Sequence, residues 1–75
     1  MGNSIASLKV GESGIIEDIS FDSIPLSLLE MGCMPGEQVE LIQKAPLKDP
    51  LYIRVNGSFL AIRTQTASKI LITKE

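Results

Sequence analysis

Two side chains central to acid–base, nucleophilic and metal chemistry are scarce in this chain of 75 residues: it has no histidine and one cysteine, Cys33. Histidine is the commonest general base and metal ligand near neutral pH, so its absence removes most acid–base and nucleophile-activation schemes together. One thiol without imidazoles cannot assemble a tetrahedral zinc site. Carboxylates alone could hold a hard cation, and Glu12, Glu17 and Asp18 lie close in sequence. On a strand, however, residues 17 and 18 face opposite ways, so a solvated face is the simpler reading. Gly11-Glu12-Ser13-Gly14 has glycines but no lysine and opens no helix, so it lacks the parts of a phosphate loop. No serine has a base to activate it. These residues predict no catalytic site, no metal site and no cofactor, and they leave contact with another protein as the expected role.

Cys33 follows an expected helix C-terminus, where the negative end of the dipole disfavours a thiolate. The plain reading is a small half-buried hydrophobe; the sharper one is a partner-facing or metal-sensing thiol. Leu26, Met31, Met34, Leu47 and Tyr52 are the apolar candidates for the centre of a docking surface, with Glu30 and Cys33 beside them at the helix end. Arg54, with Arg63, Lys44 and Lys48, would supply a basic rim facing an acidic patch. Each taken singly is ordinary core or ordinary surface. Together they would form a patch of the size that marks a binding site or self-association.

The elements that must position these residues have little chain to work with. Seventy-five residues make one domain, residues 1–75 with a core over about 8–73, and such a domain buries only about 60% of its unfolded surface. The 44% hydrophobic content suffices for one core, which must be aliphatic because Phe21, Tyr52 and Phe59 are the only aromatic residues. The net charge of −2 comes from interspersed signs. No clustered basic footprint is available for nucleic acid or for an anionic membrane surface. A small domain without a disulfide suits a reducing compartment, and Met1-Gly2-Asn3-Ser4 lacks the charged-then-apolar pattern of a signal peptide. No apolar run approaches the roughly 20 residues of a membrane span. A cytoplasmic protein is expected.

Residues 4–10 read as a lead-in with Leu8 and Val10 on one strand face. Gly11 and Gly14 bracket a turn, and Ile15, Ile19 and Phe21 alternate with Glu17 and Asp18 as a strand with one wet face. The spacing predicts a helix over 23–31, capped by Asp22 or Ser23 and with Pro25 in its first turn. Gly32 ends it and Pro35-Gly36 prevents its continuation. A strand over 37–44 buries Val39 and Leu41, and a loop over 45–50 follows. Asn56-Gly57 joins strands 51–55 and 58–62, because both turn positions need positive φ. That register sets Ile53 against Leu60 and Leu51 against Ile62 in the core. Arg54 then faces Phe59, a cation over a ring, and Tyr52 faces Ala61. A helical turn over 64–69, capped by Thr64, leads to a last strand over 70–73. The sum is mostly β, a small antiparallel barrel of about five strands with a short helix inserted after the first.

Leu28-Leu29-Glu30-Met31-Gly32-Cys33-Met34-Pro35-Gly36 resembles the signature of the FeoA family, small cytosolic accessory proteins of the bacterial ferrous-iron transport system. Leu8-Lys9-Val10-Gly11-Glu12 is similar to that family's opening, and Ala45-Pro46 with Asp49-Pro50 to its central loop. Leu60-Ala61-Ile62-Arg63, then Ala67 and Ile70, is similar to its closing segment. The resemblance implies an SH3-like barrel and docking onto the transporter FeoB, at its cytosolic GTP-binding part, in support of Fe(II) uptake. It also admits a free-standing relative of the SH3-like domain that ends iron-dependent repressors. Two positions depart from the family pattern. Cys33 stands where a large aliphatic is usual, and Pro25-Leu26-Ser27 replaces a basic residue near the start of the helix.

Overall fold

The Asn56-Gly57 turn forms as its chemistry requires. Both residues take positive φ, 51° and 77°, the combination of a type I′ turn. The strands it joins, β4 (Leu51–Val55) and β5 (Ser58–Ile62), pair Ile53 with Leu60 and Leu51 with Ile62 on the buried face. Arg54 with Phe59 and Tyr52 with Ala61 occupy the outer face. The computed structural model describes residues 3–19, 22 and 24–74, with the side chains of Asp18 and Lys48 outside that description. Phe21 and the Ser23 cap also lie outside the described residues.

The sheet grows outward from this hairpin. β3 (Gln38–Lys44) pairs with β4, β2 (Ser13–Ile19) with β3, and β6 (Ile70–Lys74) with β2. A two-residue strand, β1 (Asn3–Ser4), pairs with the outer side of β6. The order β1-β6-β2-β3-β4-β5 is antiparallel throughout. A flat sheet of this kind would be only about 10 Å thick. The molecule measures 28 × 25 × 24 Å, so the sheet is rolled around its apolar face.

Two bulges bend it. The β2–β6 register slips between Ile16 and Asp18, and the β3–β4 register between Leu41 and Gln43, so that Glu17 and Ile42 are the extra residues. A bulge adds twist and breaks the period-two alternation. The inward residues of β2 are therefore Ile16 and Ile19, whereas simple alternation would bury Ile15 together with Ile19. The core is aliphatic, as composition demands: no aromatic and no polar residue is buried among the described ones.

The lead-in departs from the predicted strand. Residues Ile5–Ser7 form a 3-10 turn, after which Leu8 is buried and Val10 is 60% exposed. The chain then reverses over residues 9–12. The Glu12 N–H donates to the Lys9 carbonyl at 2.9 Å, and the Glu12 carboxylate accepts from the Lys9 N–H at 2.7 Å. That second bond, helped by the Lys74 ammonium 3.6 Å away, holds the Glu12 carboxyl below its ordinary value.

Gly14 does not close this turn. It lies inside β2, opposite Val39 on one side and Lys74 on the other. A Cβ there would stand 2.7 Å from the Thr73 carbonyl oxygen and 2.9 Å from Ile72 Cδ1. Gly14 is needed for space between strands, because backbone cannot yield as a flexible side chain can. Gly14→Ala should therefore destabilise the domain by about 1–3 kcal/mol, read as a fall in the urea midpoint; an unchanged midpoint would show that β2 and β6 can separate freely.

Candidate functional site

The predicted docking residues are organised by how the helix ends. Helix α1 runs over Leu26–Glu30, shorter than the predicted span, and Pro25 precedes it with extended ψ rather than entering its first turn. Leu28 and Leu29 rest half-buried on the core while Leu26 is 68% exposed. Gly32 takes φ +98°. Its N–H donates to the Leu29 carbonyl at 3.1 Å, and the Cys33 N–H donates to the Leu28 carbonyl at 3.1 Å. This is the paired bonding of a Schellman cap, in which the residue after the glycine turns back toward the helix's apolar side.

That reversal overturns Cys33 as a surface candidate, because the side chain is fully buried in the core. Burial pushes the thiol pKa up, since removing water penalises the thiolate. The folded protein should resist alkylation at pH 8 and react only after unfolding; labelling of the native protein at the rate of a free thiol would contradict this. The sign for stability is loss with rising pH: the unfolded chain gives up the thiol proton first, so stability falls above about pH 9.

Beyond the cap the chain is fastened to the sheet. The Gly36 N–H donates to the Ile16 carbonyl at 2.7 Å, and the Ile16 N–H to the Glu37 carbonyl at 2.9 Å. Gly32 itself backs onto the hairpin turn, where a Cβ would lie 2.8 Å from Asn56 Cβ. Met31 and Met34 are consequently held beside that turn, both partly exposed, and Glu30 is exposed at the end of α1. A polar cleft of about 230 Å³ lies alongside, lined by Glu37, Gln38, Glu40, Arg54, Asn56 and Gly57. Within it the Arg54 guanidinium donates to the Glu40 carboxylate at 2.6 Å. The predicted stacking partner, Phe59, sits across the β4–β5 pair, but the Arg54 charge is directed to Glu40. Such an exposed pair contributes about 0–1 kcal/mol.

Leu47 belongs to a different place. It sits in the β3–β4 loop, at the end of β4 opposite Asn56, and β4 alone separates the two ends by roughly 15 Å. Its side chain is 97% exposed and its backbone is left-handed at φ 66°, ψ 14°. Tyr52 lies on the outer face of β4 near the loop end, opposite Gln43 and Ala61. The candidates thus form two regions, one at the helix end (Leu26, Glu30, Met31, Met34, Arg54) and one at the loop (Leu47, Tyr52), rather than one patch. The loop also caps a helix. Asp49 Oδ1 accepts the Thr64 N–H at 2.9 Å at the start of α2 (Thr64–Ala67), a role expected of Thr64 itself. Phe59, 69% exposed, was missed as a candidate although the hairpin register already set it on the wet face.

A leucine held left-handed costs about 1–2 kcal/mol relative to a residue that tolerates that region. Leu47→Asn should raise stability by about 0.5–1 kcal/mol, measured by thermal unfolding; a fall of that size would mean that Leu47 packs on the domain after all.

The FeoA domain model matches residues 3–74. The chain belongs to the FeoA family. Membership associates it with ferrous-iron transport. One relative, a fusion of Fe(2+) transport protein A with the Fe(2+) transporter FeoB from Porphyromonas gingivalis, is 30% identical over 67 residues. That match spans 88% of this chain and 8% of the relative's length. The crystal structure of an iron uptake regulatory protein, FeoA, superposes with TM-score 0.83 at 25% identity over 100% of this chain and 99% of the other. FeoA of Stenotrophomonas maltophilia, complexed with zinc and described as a procaryotic SH3 domain protein, gives 0.79 at 25% identity over 95% and 89%. The rolled antiparallel sheet is thus the SH3-like fold. A manganese-dependent transcriptional repressor shares it with TM-score 0.82 over 99% of this chain and 42% of its own, a likeness of fold alone at 12% identity. Among the described residues no helix is long and apolar enough to cross a membrane.

Proposed function

We propose that this FeoA-family chain is a non-catalytic cytoplasmic accessory of Fe(II) uptake that docks onto the cytosolic GTP-binding part of a FeoB-type transporter. The observation that carries this reading is the Porphyromonas gingivalis fusion, in which a FeoA segment and FeoB share one polypeptide. Covalent linkage raises the effective concentration of two modules to the order of mM, which benefits a pair that works in contact. The chain's own chemistry agrees with an accessory role: it has no histidine, and its single thiol is sealed in the core.

The helix end is the proposed primary contact. Met31 and Met34 are adaptable apolar side chains on a rigid cap, with Leu26 and Glu30 on the adjoining helix and the Arg54–Glu40 cleft beside them. Leu47 and Tyr52 form a second contact region, suited to a partner broad enough to reach around the barrel. A regulatory role is the second reading, favoured by the shared fold of the manganese-dependent repressor. The net charge of −2 leaves no basic footprint with which this chain could itself read DNA.

Calorimetry with the transporter's cytosolic domain, with and without guanine nucleotide, tests the first reading. A stoichiometric complex is expected in at least one nucleotide state, and no heat in any state would remove it. A tight Fe(II) isotherm for the isolated chain would instead make it a carrier. Met31→Asp should weaken the complex by about 1.5–3 kcal/mol, roughly tenfold or more, with the melting temperature of the free domain unchanged. Wild-type affinity in that variant would move the contact away from the helix end.

A further inference from the structure

The two edges of the sheet are unlike. At one end, β1 contributes two residues, too short to template another strand. At the other, β5 is a full five-residue edge reading Ser58-Phe59-Leu60-Ala61-Ile62, with no charge and no proline. Soluble proteins ordinarily blunt such edges with lysine, proline, bulges or a covering segment. Here the register along β4–β5 runs without a slip, no described strand pairs with the far side of β5, and Phe59 and Ala61 are both exposed.

The turn type decides which backbone groups this edge offers. In a two-residue I′ hairpin the flanking pair, Val55 and Ser58, exchanges main-chain bonds, and such pairs alternate with unbonded ones. Ser58, Leu60 and Ile62 therefore bond inward to β4. The N–H and C=O groups of Phe59 and Ala61 point outward, to the open edge.

We propose that this edge pairs antiparallel with the same edge of a second copy of the chain, across a two-fold axis at Leu60. Of the two-fold registers that set outward groups against outward groups, an axis at Leu60 is the one that keeps every bonded pair within β5. With the axis at Leu60, Phe59 lies opposite Ala61 of the second copy, and each such pair exchanges both of its N–H···O bonds. Side chains agree with the backbone: on the outer face the large ring of Phe59 meets the small Ala61, and on the inner face Leu60 meets its own copy. Ser58 falls opposite Ile62, and Arg63 opposite Gly57, so no like charges confront each other. The symmetry is closed, which limits the assembly to a dimer. One strand seam buries less than the roughly 1,200 Å² of a standard interface, so the dimer is a weak one. It involves neither Met31 nor the transporter, and it stands or falls apart from the docking reading above.

Sedimentation equilibrium and amide exchange from low micromolar to about 1 mM protein test the proposal. The average mass should rise toward that of a dimer, and the Phe59 and Ala61 amides should gain protection in parallel with it. Ala61→Pro removes one outward N–H at a position where an edge strand tolerates proline; it should stay monomeric over the whole range with an unchanged far-UV spectrum. Should that variant unfold, Phe59→Lys places a charge in the seam and must give the same loss of dimer. Leu47→Ser, on another surface, should dimerise as the wild type does. A mass that stays monomeric to about 1 mM overturns the proposal, as does dimerisation without added protection at residues 59 and 61. Protection of those amides only when the transporter's cytosolic domain is added would assign the edge to that partner and overturn the self-pairing.

Discussion

The reversal of the chain at Gly32 is the constraint on which the rest of this structure hangs. A left-handed glycine lets the helix stop after five residues, returns Cys33 to the core and lays the helix end against Asn56 of the hairpin. Any side chain at Gly32 would meet both penalties at once, positive φ and a contact below 3 Å. The next residues then bond to β2 through Gly36 and Glu37, so one short stretch joins the helix, the β4–β5 turn and the first long strand. In a domain with so little core, a junction of this kind substitutes for the extra layer of packing a larger protein would use.

The sheet must also close around an aliphatic core without large rings to fill it. Its bulges at Glu17 and Ile42 supply the bend, and Gly14 lets β2 and β6 approach where the roll is tight. Exposed apolar residues are what remains when small side chains fill the inside: Leu47, Phe59 and Leu26 stay outside. Leu47 is the clearest case, since neither its backbone conformation nor its burial rewards a leucine there. Residues that stability alone would not select are where contact with another molecule is expected to act.

The FeoA membership and these surfaces complement each other. The family connects the chain with ferrous-iron transport, and the surfaces show what a small SH3-like domain without histidine has to offer: a rigid helix end, an exposed loop leucine and an open strand edge. None needs a bound ion. The polar cleft beside the helix end is already occupied by its own Arg54–Glu40 pair, so its charge acts within the protein before it acts on a partner.

Local physics made much of this legible from the residues alone. The Asn56-Gly57 register, the left-handed Gly32 and the burial of Val39 and Leu41 all follow from side-chain type and nearest-neighbour geometry, and all are observed. What depended on contacts distant in sequence was not legible. The bulge at Glu17 shifts the inward set from Ile15 to Ile16 because β6 fixes the register. Gly14 answers to the Thr73 carbonyl rather than to a turn, and Asp49 caps a helix that begins at Thr64. The docking candidates divided for the same reason: Met31 and Leu47 are both exposed apolar residues near turns, but the direction and length of β4 put them at opposite ends of the barrel. Period and propensity say which side chains are wet; only the path of the strands between them says which wet side chains share a surface.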